Sequence, residues 1–129
     1  MPRIHDVILP VLREQLPGVQ VVSWIPDVDH REYPILGIRR LSGLARDVRR
    51  LDLPVVEMTA YHRDGLVPCE DLYLDARQVL WDMVKNQTLT PAGYLHSFFE
   101  TFGPSQFDSP FDDSWRVQGL IQLGLRPAR

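Results

Sequence analysis

The 129-residue sequence predicts an α+β fold: a largely antiparallel sheet of about five strands with two helices packed on one face, in the order α-β-β-β-α-β-β. Two segments carry apolar residues at helical spacing, and the C-terminal segment alternates apolar with polar residues as a half-buried strand does. Between them lie short runs rich in β-branched and aromatic residues, bounded by Pro, Gly or Asp.

From Arg3 to Leu16, the residues Ile4, Val7, Ile8, Val11, Leu12 and Leu16 form one apolar face, with Arg3, Asp6, Arg13, Glu14 and Gln15 opposite. Pro10 lies inside this helix and predicts a bend or interruption, because proline lacks the amide donor and crowds the preceding turn. Pro17 and Gly18 end it. Val19 to Ile25 and Pro34 to Arg40 read as two strands flanking the polar turn 27–32, which suggests a hairpin. Residues 41–52 show no period and contain Ser42 and Gly43, so they are expected to form a long exposed loop. Leu53 to Tyr61 is the third strand. Pro68 then opens the second helix, with Glu70 and Asp71 near its positive end and Lys85 near its negative end. Leu72, Ala76, Val79, Leu80, Met83 and Val84 make its buried stripe. Tyr94 to Phe102 is a fourth strand, and 103–114 a second long loop that displays Phe107 and Phe111. The last strand, Trp115 to Arg126, directs Trp115, Val117, Gly119, Ile121, Leu123 and Leu125 to one side and Arg116, Gln118, Leu120, Gln122 and Arg126 to the other.

Length and composition predict a single domain over residues 1–129, with one core. No apolar run approaches the ~20 residues that span a bilayer, so no membrane role is expected. The N-terminus has no long apolar stretch followed by a small-residue cleavage site and does not read as a secretory signal. Cys69 is the only cysteine, which excludes an internal disulfide and a thiolate metal cage.

Signals for chemistry are sparse. Cys69 near a helix start could have thiolate character, but nothing relates it to His5, His30, His62 or His96, and an isolated cysteine is usually a small apolar residue. Asp27, Asp29 and His30 lack the glycine and terminal glutamate of a calcium loop and the paired histidines of a zinc helix. Asp108, Asp112 and Asp113 are spread through a proline-containing loop where water suffices as a partner. No phosphate-binding glycine loop or nucleophile elbow is present. No catalytic residue, metal or cofactor is therefore assigned.

Charge is more informative. Of the 14 basic residues only Lys85 is lysine, and five arginines fall between Arg39 and Arg50. A net charge of −3 argues against a surface that grips nucleic acid as a whole. Multiplied around a ring axis, however, Arg46, Arg49 and Arg50 would form a band able to meet acidic protein or passing DNA; the alternative is a solvated loop. These three arginines, with Phe107 and Phe111, are the candidate interface residues.

The opening Met1–Pro10, the strand Pro54–Tyr61, the segment Val84–Ser97 and the ending Asp113–Pro127 resemble the tail terminator proteins of long-tailed, siphovirus-type actinobacterial phages. The resemblance covers nearly the whole chain and rests on strand and helix edges, with no active-site signature. It implies a structural virion protein that forms a homo-hexameric ring, caps the tail tube, stops its polymerisation and joins the tail to the head-tail connector protein. Genomic DNA would pass through the lumen without sequence-specific binding, and the protein would sit at the head-tail junction of the virion tail after assembly in the host cytoplasm. Neighbouring head-tail connector rings have similar size and build, so a stopper or completion protein remains an alternative. A small enzyme or ligand-binding domain using Cys69 is another.

Overall fold

A computed structural model describes residues 1–129. Helix α1 (Ile4–Gln15) buries Ile4, Val7, Ile8, Leu9 and Leu12. It continues through Pro10 without the interruption that proline suggested. Pro10 lies on the exposed side, where water can serve the carbonyl that loses its amide partner.

Five strands follow in one sheet: β1 (Gln20–Val22), β2 (Ile35–Asp47), β3 (Leu51–His62), β4 (Gly93–Phe107) and β5 (Trp115–Pro127). Helix α2 (Leu66–Lys85) stands between β3 and β4 in the chain. The spatial order is β1-β2-β3-β5-β4. The α-β-β-β-α-β-β order thus matches the expectation, but the sheet is mixed: β1 pairs with β2 in parallel, while the other three pairings are antiparallel.

The expected β1–β2 hairpin is therefore corrected. A parallel pair needs a connection of about a dozen residues to return to its starting end. Residues 23–34 supply it, with a single 3-10 turn at Val28–His30.

The two long loops are corrected as well. Residues 41–47 continue β2, 51–52 belong to β3, and only 48–50 form the turn, with Ala45 opposite Asp52 and Asp47 opposite Leu51. Likewise 103–107 continue β4, leaving a loop at 108–114. β-bulges hide these strand extensions from the residue pattern. Each extra residue shifts the inward-outward alternation by one, and the register slips between Arg40 and Ser42, between Ala45 and Asp47, and three times along β4. Gly43, just past the first irregularity and opposite Pro54, has φ +120°, and an added Cβ there would strike the Leu53–Val55 backbone, so that position requires glycine.

Both helices cover one sheet face. Their buried side chains join Leu36, Ile38, Val56, Met58, Ala60, Val117, Ile121, Leu123 and Leu125 in a single cluster of 22 buried residues. Tyr73 of α2 reaches so close to β5 that a Cβ on Gly119 would overlap its hydroxyl and lie 2.8 Å from the Phe102 carbonyl oxygen. Glycine at 119 is what lets α2 press its largest buried side chain against the sheet. The opposite face carries Glu57, Thr59, Arg116, Gln118 and Gln122 and has no helix over it.

Candidate functional site

Long pairing of β2 with β3 carries the turn at 48–50 past the helix-covered core. From Leu41 to Arg50 every residue is exposed except Gly43 and Asp47, which are half-buried. The five clustered arginines divide here into two groups. Arg39 donates to Glu57 across the strands at 3.1 Å. Arg40 grips both carboxylate oxygens of the buried Asp52 at 2.6 and 3.1 Å, and Asp52 also accepts the Leu53 amide at 3.0 Å. That fork geometry suits arginine and ties the base of the hairpin together. Asp47 orders the turn by accepting the Arg49 amide at 2.9 Å.

The guanidinium groups of Arg46, Arg49 and Arg50 make no ion pair or hydrogen bond. Leu44 and Val48 stand among them at 82% and 74% exposure, with Leu41 nearby at 48%. This mixture of free cations and exposed aliphatic side chains makes the tip a candidate contact surface. The arginines were legible in the sequence. The aliphatic residues were missed because they lay in a presumed loop, although Leu41, Leu44 and Val48 are uncommon choices for a segment that meets only water.

Phe107 and Phe111 are not brought to the tip; they lie at the opposite end of the sheet, where Phe107 pairs with Arg116 and Trp115 with His62. Phe111 is half-buried, 5.1 Å from the Tyr61 ring, with the Arg31 guanidinium 3.9 Å over its face. Its surface is used inside the molecule. Phe107 is 39% exposed, with Phe102 at 6.4 Å and Arg116 stacked above it. Phe99, at 67%, and Phe102, at 44%, extend an aromatic stripe along edge strand β4 that the sequence reading did not single out.

Cys69 is fully buried, its Sγ donating to the carbonyl oxygens of Ala60 at 3.3 Å and Trp115 at 3.4 Å. Burial pushes its thiol up to about 11, so it is protonated at neutral pH and shielded from reagents. No three His, Cys, Asp or Glu side chains converge on a shared metal position. A depression of about 420 Å³ on the open sheet face is lined by Trp24, Ile25, Arg39, Glu57, Thr59 and Arg116. Arg39 is paired there with Glu57, whereas Arg116 donates from Nη2 to the neutral Gln118 and leaves its buried Nε without a partner.

These surfaces belong to a chain with clear relatives. A family model described as phage tail termination protein matches residues 1–129. The chain belongs to that family. The Gene 22 protein of Mycobacterium phage D29 is 55% identical, covering all of this chain and 96% of the relative. The Gene 22 protein of Mycobacterium phage L5 is 53% identical over the same shares. Membership in the phage tail termination family makes this a phage tail protein, and it directs attention to contact surfaces. The β2–β3 hairpin tip, with its free arginines and exposed Leu44 and Val48, is one of these.

Proposed function

We propose that this chain is the subunit of a ring, six copies in number, that caps the phage tail tube, stops its polymerisation and joins the tail to the head-side connector. The observation that carries the reading is the hairpin tip of this tail termination family member, where Arg46, Arg49 and Arg50 lack any partner within the chain and surround exposed Leu44 and Val48. A surface of that kind is completed by another chain. The partners are other copies of this protein, the tail tube protein and the connector protein, with DNA passing through the lumen without sequence readout. The subunit acts without catalysis, at the head-tail junction of the virion, after assembly in the host cytoplasm.

Electron microscopy of particles made without this protein tests the role. Overlong tails detached from filled heads are expected, because nothing would stop the tube. Tails of normal length beside leaking heads would overturn the terminator role and favour a connector on the head side.

A further inference from the structure

Charge is distributed unevenly along the strand direction. The turn at 48–50 stands at the start of β3, and α2 begins after its other end, roughly 35 Å away for a twelve-residue strand. Arg46, Arg49 and Arg50 are unpaired at the first end. At the second end, Glu70, Asp71 and Asp75 are exposed on one face of α2 and make no ion pair, beside Val67 at 69% exposure. The arginines around that end are engaged within the chain: Arg31 lies over Phe111, Arg63 over Tyr33 and Arg116 over Phe107, while Arg77, two residues past Asp75 on α2, pairs with Glu100. Glu70 and Asp71 lie in the second turn of α2, whose first turn holds no acidic residue, so the helix dipole acts on them only weakly. It does not account for Asp75, a further turn along, nor for the exposed valine.

We infer that the β2–β3 hairpin tip of one copy docks on the first three turns of α2 in a second copy, placing Arg46, Arg49 and Arg50 against Glu70, Asp71 and Asp75, and Leu44 and Val48 against Val67. Two unlike surfaces at opposite ends of one chain make a heterologous contact, which repeats head to tail and closes as a ring when the rotation permits. Within one copy the two surfaces are too far apart to neutralise each other. Between copies the match is double, cation to anion and aliphatic to aliphatic. The inference deepens the ring reading and rests on it.

A charge-swap experiment tests the contact. One variant carries Arg46→Glu, Arg49→Glu and Arg50→Glu; the other carries Glu70→Arg, Asp71→Arg and Asp75→Arg. Each alone sets like charges against each other at every contact. Each should lower ring formation, read by sedimentation with and without tails lacking the protein, by at least about tenfold while circular dichroism stays native. Mixed in equal amounts, the two restore every attractive contact in an alternating ring, so assembly and virion yield should return. If the α2 triple variant fails to fold, Asp75→Arg, beyond the reach of the helix dipole, is mixed in turn with the single tip variants Arg46→Glu, Arg49→Glu and Arg50→Glu, one of which should restore assembly. Wild-type rings with unimpaired variants, or a mixture as poor as its components, would overturn this contact and leave the ring reading intact. A wild-type chain that stays monomeric both free and on tails would overturn both.

Discussion

The two ends of the sheet use arginine in opposite ways. At the 108–114 end, Arg31, Arg63 and Arg116 lie 3.9, 4.3 and 5.3 Å over the rings of Phe111, Tyr33 and Phe107. There the guanidinium plane covers apolar surface and closes the molecule upon itself. At the hairpin end, two arginines fix the base through Glu57 and Asp52, and three more stand beyond them without partners. The same residue type serves cohesion in one place and is held in reserve in the other. Structural arginines should therefore cost stability when their partners are removed, whereas tip arginines should cost only assembly.

The largest effect is expected at the hairpin base. Asp52→Ala leaves Arg40 without its bidentate partner and the Leu53 amide without an acceptor. Breaking a buried pair costs about 3–5 kcal/mol, and because the Arg40 side chain is 37% exposed the loss should be nearer 2–3 kcal/mol. Urea denaturation measures it. A change below about 0.5 kcal/mol would mean that the pair does not hold the hairpin.

The closed end should also reveal itself in alkali. Cys69 contacts the Trp115 carbonyl there, and burial raises its folded pKa to about 11 from an unfolded value near 8.5–9. A raised pKa gives a contribution fully present below the unfolded value. Between about pH 9 and 11 the unfolded chain loses this proton while the folded one keeps it, so stability falls as pH rises, by up to about 2–3 kcal/mol. Burial also raises Tyr61 and Tyr73, which adds to the fall at higher pH. Denaturation midpoints of wild type and Cys69→Ala across this window check the sign. Equal slopes would remove Cys69 as the cause.

Phe111→Ala should cost about 1–2 kcal/mol, since it removes a half-buried ring from between Tyr61 and Arg31. This substitution sharpens the comparison because the sequence placed Phe111 with the tip arginines as an interface residue. A loss of tail assembly with unchanged stability would return it to that role.

What the sequence revealed depended on periodicity surviving into the structure. β5 carries no bulge, and Val117, Gly119, Ile121, Leu123 and Leu125 are buried as its pattern directs; Trp115, on the same side at the strand's start, is 38% exposed because it lies beyond the helix-covered core, and Gly124 is buried from the other side. The α2 stripe was equally clear, although Val79 and Val84 are only partly buried, and Cys69 and Tyr73 widen it. β2 and β4 escaped recognition beyond residues 40 and 102 because bulges reset their alternation, and no local residue pattern announces where a partner strand will enforce pairing. The candidate site was half legible for the same reason. Arginine clustering was visible, but which members pair depends on Glu57 and Asp52, brought alongside only when β2 and β3 align.

The smallest stability effect and the most specific functional one should coincide at the tip. Arg46→Ala, Arg49→Ala and Arg50→Ala together remove three charges that touch nothing in the chain, so unfolding free energy should shift by less than about 0.5 kcal/mol. Virion yield from cells supplying this variant should nevertheless fall, and high salt should weaken wild-type assembly by screening the same charges. A stability loss comparable to that of Asp52→Ala would show that these arginines work within the fold. Unchanged stability together with unchanged yield would show that they are merely solvated, and the hairpin would then act through Leu44 and Val48 alone.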